Sequence, residues 1–249
     1  GLPPGLFSLL HGRGHTVGQS IVDHPRLAAV AFTGSLPGGR AIMDAAAARK
    51  VPIPVFAEMG SLNPVFLLPE ALRENAAGIA GGFVQALTLG VGQFCTNPAV
   101  VLAVDSPELD TFVVEAAMHI RACSPATMLH AGIHQSYLTL GQSFRDCPGV
   151  EVIARTKTAV PDRLEADVLL LETDYPTWAS TPSLRQECFG PTAILVRARN
   201  TDELLDFARH MEGSLTATLH GNRTDLDHHR TLRETLETRA GRLVFNGFP

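Results

Sequence analysis

Short apolar runs alternate along this chain with longer stretches in which apolar residues recur every third or fourth position, a rhythm that predicts strand followed by helix many times over. Residues 17–23 read as a short helix, 28–32 as a buried strand, 39–50 as an Ala-rich helix and 55–58 as a second short strand. Residues 100–104 read as a strand, and Ser106 followed by Pro107 marks the start of a helix reaching about residue 122. Strands are predicted over 151–154, 168–171, 193–196, 215–219 and 243–245, with amphipathic helices over 202–211 and 225–239. This alternation predicts an α/β fold with a largely parallel sheet. The proline-rich segment at 51–54 is the strongest boundary signal.

No charged residue occurs between Glu74 and Asp105, and residues 76–92 are largely apolar. A hydropathy window would mark a membrane helix there. Gln85, Thr88, Gln93, Thr96 and Asn97 interrupt the run, while Leu72, Ile79, Phe83 and Leu87 recur at helical spacing. A helix packed in a globular core accounts for both. Gly81 and Gly82 inside it cost about 1 kcal/mol each relative to Ala, which predicts the close approach of another backbone.

Composition narrows the function classes. The chain has 249 residues, 45% of them hydrophobic and 18% charged, enough apolar character for a sizeable core. Its formal charge is −5 and it has no Lys/Arg block, so it carries no electrostatic footprint for nucleic acid or an anionic membrane. A small molecule is the expected partner. Cysteines 95, 123, 147 and 188 have neither the density nor the paired spacing of a disulfide scaffold or zinc site, which points to a reducing, cytoplasmic setting. Gly1 in place of methionine suggests a piece of something longer.

Several motifs have the residue types that chemistry needs. The spacing of Gly12, Gly14 and Gly18 comes near a dinucleotide fingerprint but has one residue too many, and a plain turn before a helix explains it equally well. Phe32-Thr33-Gly34-Ser35-Leu36-Pro37-Gly38-Gly39 leaves a strand and enters a helix near Arg40, so its free N–H groups form either a pyrophosphate seat or an ordinary turn. Glu58 ends a strand before Met59-Gly60-Ser61-Leu62-Asn63-Pro64; it is a general base if it faces a cleft and a solvated carboxylate otherwise. Cys95, in Gly92-Gln93-Phe94-Cys95-Thr96-Asn97-Pro98, lies in a polar turn of the kind that favours thiolate, and Cys123, Cys147 and Cys188 are read as structural. Glu187-Cys188-Phe189-Gly190-Pro191 could grip a ribose and flank a flat ring, or simply turn. His130 and His134 stand four apart, but Gly132 weakens a helix there and no Glu follows His130, so no metal is expected.

Taken in order, Phe32 to Ser35, Glu58 to Pro64, Gly92 to Cys95, Glu187 to Pro191 and Gly241-Arg242-Leu243-Val244-Phe245-Asn246-Gly247 resemble the aldehyde dehydrogenase superfamily across nearly the whole chain. Residues 57–66, 94–98 and 215–220 look most like the branch acting on 2-oxoglutarate semialdehyde. The resemblance implies the end of a Rossmann-type cofactor domain over residues 1–58 and a three-layer α/β catalytic domain over 59–249, lacking its last segment. It implies Cys95 as nucleophile, forming a thiohemiacetal and then a thioester, and Glu58 as the base that activates water. Gly34, Ser35 and Gly39 would border the cofactor phosphates, Met59 would lie beside the cofactor, Glu187 would hold the nicotinamide ribose and Phe189 would lie near that ring. The implied cofactor is NADP or NAD, the partner a small-molecule aldehyde and the full-length form a homo-oligomer. Family members are about twice as long, so the alternative is a fragment without turnover, serving as a binding or assembly module. An ordinary thiol is only a few per cent ionised at neutral pH, so this chemistry needs surroundings that favour thiolate.

Overall fold

From the first helix on, the chain alternates as its apolar pattern predicts. In this computed structural model residue 1, residues 3–157 and residues 160–249 are described, and they divide into two units, Gly1–Gly60 and Ser61–Pro249. The first holds α1 (Gly14–Asp23), β1 (Val30–Gly34), α2 (Leu36–Ala48) and β2 (Val55–Met59). The two strands are parallel, with Thr33 opposite Glu58 and Gly34 opposite Met59. One face of the pair packs on α2 so closely that a Cβ at Gly39 would overlap the Met59 side chain. Ala31, Thr33, Phe56 and Glu58 alternate onto the opposite face and are exposed.

Three expectations for this unit need correction. The strand expected at 28–32 runs from 30 to 34 and is half open rather than buried. Helix α2 begins at Leu36 rather than 39, because Ser35 caps it and Pro37 fits the first turn of a helix, where its missing N–H costs nothing. Gly14 and Gly18 lie inside α1, not in a turn.

The second unit holds β3 (Val65–Leu67), α3 (Pro69–Thr88), β4 (Val100–Val104), α4 (Pro107–Ala122), β5 (Ala126–Thr127), α5 (Ala131–Arg145) and β6 (Glu151–Arg155). It continues with β7 (Glu165–Ala166), β8 (Leu169–Asp174), α6 (Tyr175–Ser180), β9 (Thr192–Ala198), α7 (Thr201–His210), β10 (Ser214–His220), α8 (Arg223–His228), α9 (Arg230–Arg239) and β11 (Ala240–Phe245). Its main sheet has the order β11-β10-β3-β4-β9-β8-β6, parallel throughout except for β6, which pairs antiparallel with β8 at the edge.

Helices cover both faces, so the central strands read as unbroken apolar runs. Val65, Leu67, Val101, Ala103, Ala193 and Leu195 join Leu72, Phe83, Leu109 and Phe112 of α3 and α4. Phe66, Val100, Leu102, Ile194 and Val196 face the other way, toward Tyr137, Trp178, Phe207 and Leu236. Among the described residues no helix is long and apolar enough to cross a membrane.

Here too the structure departs from expectation. Gly81 and Gly82 make room for side chains, the His119 and Phe248 rings, and not for another backbone. Gly132 does not prevent a helix, since the His130 ring caps α5 through Nδ1. The single helix expected over 225–239 breaks at His229, where α8, held by an Asn222–Asp225 capping box, gives way to α9. Strand β3, three residues long behind a proline, has too little pattern to be read from sequence, although it lies inside the sheet between β10 and β4.

Candidate active site

The candidate residues fall on both units, and each unit has its own geometry. In the first, Gly34 and Ser35 lie at the carboxyl end of β1, where α2 begins. Ser35 Oγ accepts from the Gly38 N–H at 3.3 Å, and the surrounding turn is exposed. The helix is 13 residues long, so its N-terminus presents free N–H groups and the positive end of a peptide dipole. Gly39 is buried against Met59, and its missing side chain serves the packing of helix on strand. Glu58 is exposed beside Thr33 on the uncovered face, above a depression lined by Ala31, Phe32, Thr33, Phe56 and Ala57.

In the second unit, four neighbouring strands bring distant segments together. β10, β3, β4 and β9 lie side by side and parallel, so the residues just before β3, β4 and β9 and those opening β10 collect at one edge of the sheet. These are Ser61 to Pro64, the turn bearing Cys95, the Glu187 to Pro191 turn, and Leu215 with Thr216. The main chain already ties them: Ala99 N–H donates to Leu62 O, Ile194 N–H to Ala99 O and Thr218 N–H to Pro64 O.

Cys95 is exposed. Its turn follows α3 through three consecutive left-handed residues, Gly90, Val91 and Gly92, with φ of 55°, 60° and 65°. Such a φ is costly for a β-branched residue like Val91. A Cβ at Gly92 would overlap the main chain at Gly190, so two backbones touch here. Gln93 donates to Gly90 O at 3.1 Å and accepts from Leu129 N–H at 2.9 Å. Asn97 is buried and donates to Gly190 O at 3.2 Å. Asn63 Nδ2 donates to the carbonyls of Cys95 at 2.8 Å and Asn97 at 3.0 Å.

Glu187 accepts from the Ser61 N–H at 3.3 Å. Burial raises its carboxyl above the usual range, and the Ser61 N–H opposes the shift in part. Phe189 is half-buried beside it. Cys188 points into the core, where burial pushes its thiol up to about 12, an environment that keeps it protonated and inert. Cys95 and Cys188 thus occupy opposite environments. His130 caps α5, and His134 pairs through Nε2 with the Glu165 carbonyl.

Sequence reasoning gave no role to Asn63, Ser61, Asn97 or Thr216. The one available signal was Asn63 before Pro64: asparagine tolerates the left-handed backbone that this position adopts, at φ 47°.

Comparison with known proteins agrees with this architecture. The model of the aldehyde dehydrogenase family matches residues 1–132, and the chain belongs to that family. More particularly, it is 44% identical over 249 residues to alpha-ketoglutaric semialdehyde dehydrogenase 2 of Azospirillum brasilense, covering 100% of this chain and 47% of the relative. It is 36% identical to alpha-ketoglutaric semialdehyde dehydrogenase of Acinetobacter baylyi, again covering 100% of this chain and 47% of that protein. The chain therefore spans about half the length of these curated relatives. The fold is shared with a solved NADP-dependent glyceraldehyde-3-phosphate dehydrogenase from Bacillus halodurans complexed with NADP, at a TM-score of 0.77 and 21% identity, covering 96% of this chain and 48% of that one.

Proposed function

We propose that this chain carries the thiol chemistry and part of the cofactor seat of an NAD(P)-dependent aldehyde dehydrogenase that oxidises 2-oxoglutarate semialdehyde (2,5-dioxopentanoate) to 2-oxoglutarate. The observation that carries the reading is the 44% identity to the Azospirillum relative along the entire chain. The exposed Cys95 on a pinned turn agrees with it. Residues 1–58 are the last part of a nucleotide-binding domain and 59–249 most of a catalytic domain, working in the cytoplasm as part of a homo-oligomer.

Cys95 adds as thiolate to the aldehyde carbon: a C–S bond forms and the carbonyl oxygen takes the charge. A bound nicotinamide dinucleotide, NADP or NAD, supplies the acceptor for the hydrogen and electron pair that this carbon then loses, leaving a thioester on Cys95. Glu58 takes a proton from water as the water oxygen adds to the thioester carbon. The C–S bond breaks, the thiolate returns and the carboxylic acid leaves.

The first unit fits such a dinucleotide, because a helix N-terminus opening at the carboxyl end of a parallel strand is a seat for phosphate. Gly34 and Ser35 would hold the phosphates there, with Gly39 and Met59 setting the closeness of helix to strand beneath them. Glu187 would accept from ribose hydroxyls, and Phe189 would flank the ring.

The test uses the protein as its gene encodes it. Incubation with 2,5-dioxopentanoate and NADP or NAD should give the absorbance of reduced cofactor in step with 2-oxoglutarate, and the Cys95→Ser variant should give neither. Acid formed without any dinucleotide would sink the reading.

A further inference from the structure

We infer that Asn63 is a positioning residue for Cys95, holding the thiol-bearing turn in its reactive arrangement through the carbonyls of Cys95 and Asn97; this rests on the reading of Cys95 as nucleophile. Asn63 is 1% exposed and both ends of its amide are engaged. Oδ1 accepts from Ser61 Oγ at 2.7 Å, from the Thr216 N–H at 3.2 Å and from Thr216 Oγ1 at 3.1 Å. With that end surrounded by donors, Nδ2 is turned toward Cys95 O and Asn97 O, its two shortest acceptors, with Ser61 O farther off at 3.5 Å. The residue spans the first residues of β10 and the turn before β4, so the rigid sheet dictates where the turn sits.

The turn needs such a hold. Three left-handed residues in succession, one of them Val91, persist only where their surroundings over-determine them. Asn63 grips the turn at both residues flanking Thr96, and Asn97 passes the hold on to Gly190. Cys95 keeps its thiol outside while its main chain is anchored inside. A nucleophile must be placed within a fraction of an ångström of its target, and a small misplacement costs rate rather than binding.

Asn63→Asp separates positioning from mere stability, because it keeps the acceptor toward Ser61 and Thr216 but sets a carboxylate oxygen against the two carbonyls. Thr216→Val is the matched control, removing one bond to Oδ1 and leaving the Nδ2 donors in place. In the protein as its gene encodes it, both variants should melt a few degrees lower. Only Asn63→Asp should lower kcat, at least 20-fold, with KM for aldehyde and dinucleotide within about twofold. Part of that loss should be recovered as pH falls, when the introduced carboxyl gains a proton and can donate again.

A second readout needs no turnover. Iodoacetamide labelling of Cys95, mapped by mass spectrometry with Cys123 and Cys147 as internal references, should slow at least fivefold in Asn63→Asp and stay within twofold in Thr216→Val, because only the first loses the Nδ2 hold that presents the thiol. Unchanged kcat and labelling in Asn63→Asp, or an equal loss of kcat in Thr216→Val, would overturn the inference. Turnover surviving Cys95→Ser would instead overturn the dehydrogenase reading, and the labelling rates would still judge Asn63.

Discussion

The two units place their candidate residues at opposite ends of their strands. In Gly1–Gly60, Ser35 and Glu58 stand at the carboxyl ends of β1 and β2, the usual ligand side of an open α/β sheet. In Ser61–Pro249, Asn63, Cys95, Glu187 and Thr216 gather at the amino ends of β3, β4, β9 and β10. The first arrangement is open, its helix start capped where the Gly38 N–H donates to Ser35 Oγ. The second is stitched by buried amides and by a backbone contact that leaves no room for a Cβ. On the proposed function this difference has a reason: a phosphate seat made of main-chain N–H groups would wait in water until its ligand arrives, whereas a reacting sulfur would need its turn set in advance.

The contrast predicts graded effects. The largest is Cys95→Ser, which should lower aldehyde-dependent cofactor reduction by about 10³-fold or more, because an exposed hydroxyl is a far weaker nucleophile than thiolate; stopped-time absorbance would read it, with the melting temperature nearly unchanged. Next comes Gly92→Ala, which forces a left-handed φ on a residue with a Cβ and drives that carbon into the Gly190 main chain. It should cost about 2–4 kcal/mol in urea unfolding and depress kcat as well. A loss below about 0.5 kcal/mol would break the claim that the second site is the rigid one.

His220 gives the second unit one component of its pH dependence. Burial lowers its imidazole from the ordinary 6.5 to about 4, against the opposing effect of the Gly247 carbonyl. Between these values the unfolded chain takes up a proton on this residue that the folded chain does not, so the contribution of His220 to stability falls as pH drops from about 6.5 to about 4 and is constant on either side. The shift corresponds to at most about 3 kcal/mol, and unfolding of His220→Phe at pH 7 and pH 4.5 should show that part of the slope removed. The smallest effect is Ser35→Ala: loss of an exposed cap should cost about 1 kcal/mol, with a several-fold rise in KM for the dinucleotide and an unchanged kcat. A fall in kcat instead would erase the distinction between the two sites.

Local pattern was enough for elements whose stabilising partners lie close in sequence. Ser106 before Pro107, the apolar runs of β4 and β9 and the spacing of Leu72, Ile79 and Phe83 are each decided by neighbours within a turn or a strand length. The contrast between Cys95 among polar turn residues and Cys188 beside an aromatic was legible in the sequence, and the fold leaves the first exposed and the second buried. Strand β3 was missed because three apolar residues acquire a strand's meaning only between β10 and β4. Gly132 misled because the His130 cap outweighed the cost of a glycine in a helix, and His229 because a break outweighed helical periodicity.

By itself, then, the sequence determined the α/β alternation, the apolar helix leading to Cys95 and the family resemblance, all of which rest on short-range spacing and residue type. Only the tertiary structure decided that Asn63, Cys95, Glu187 and Thr216 share one sheet edge. Strand order brings them together, and strand order depends on burial of both sheet faces across more than a hundred residues, which no local window of the chain contains.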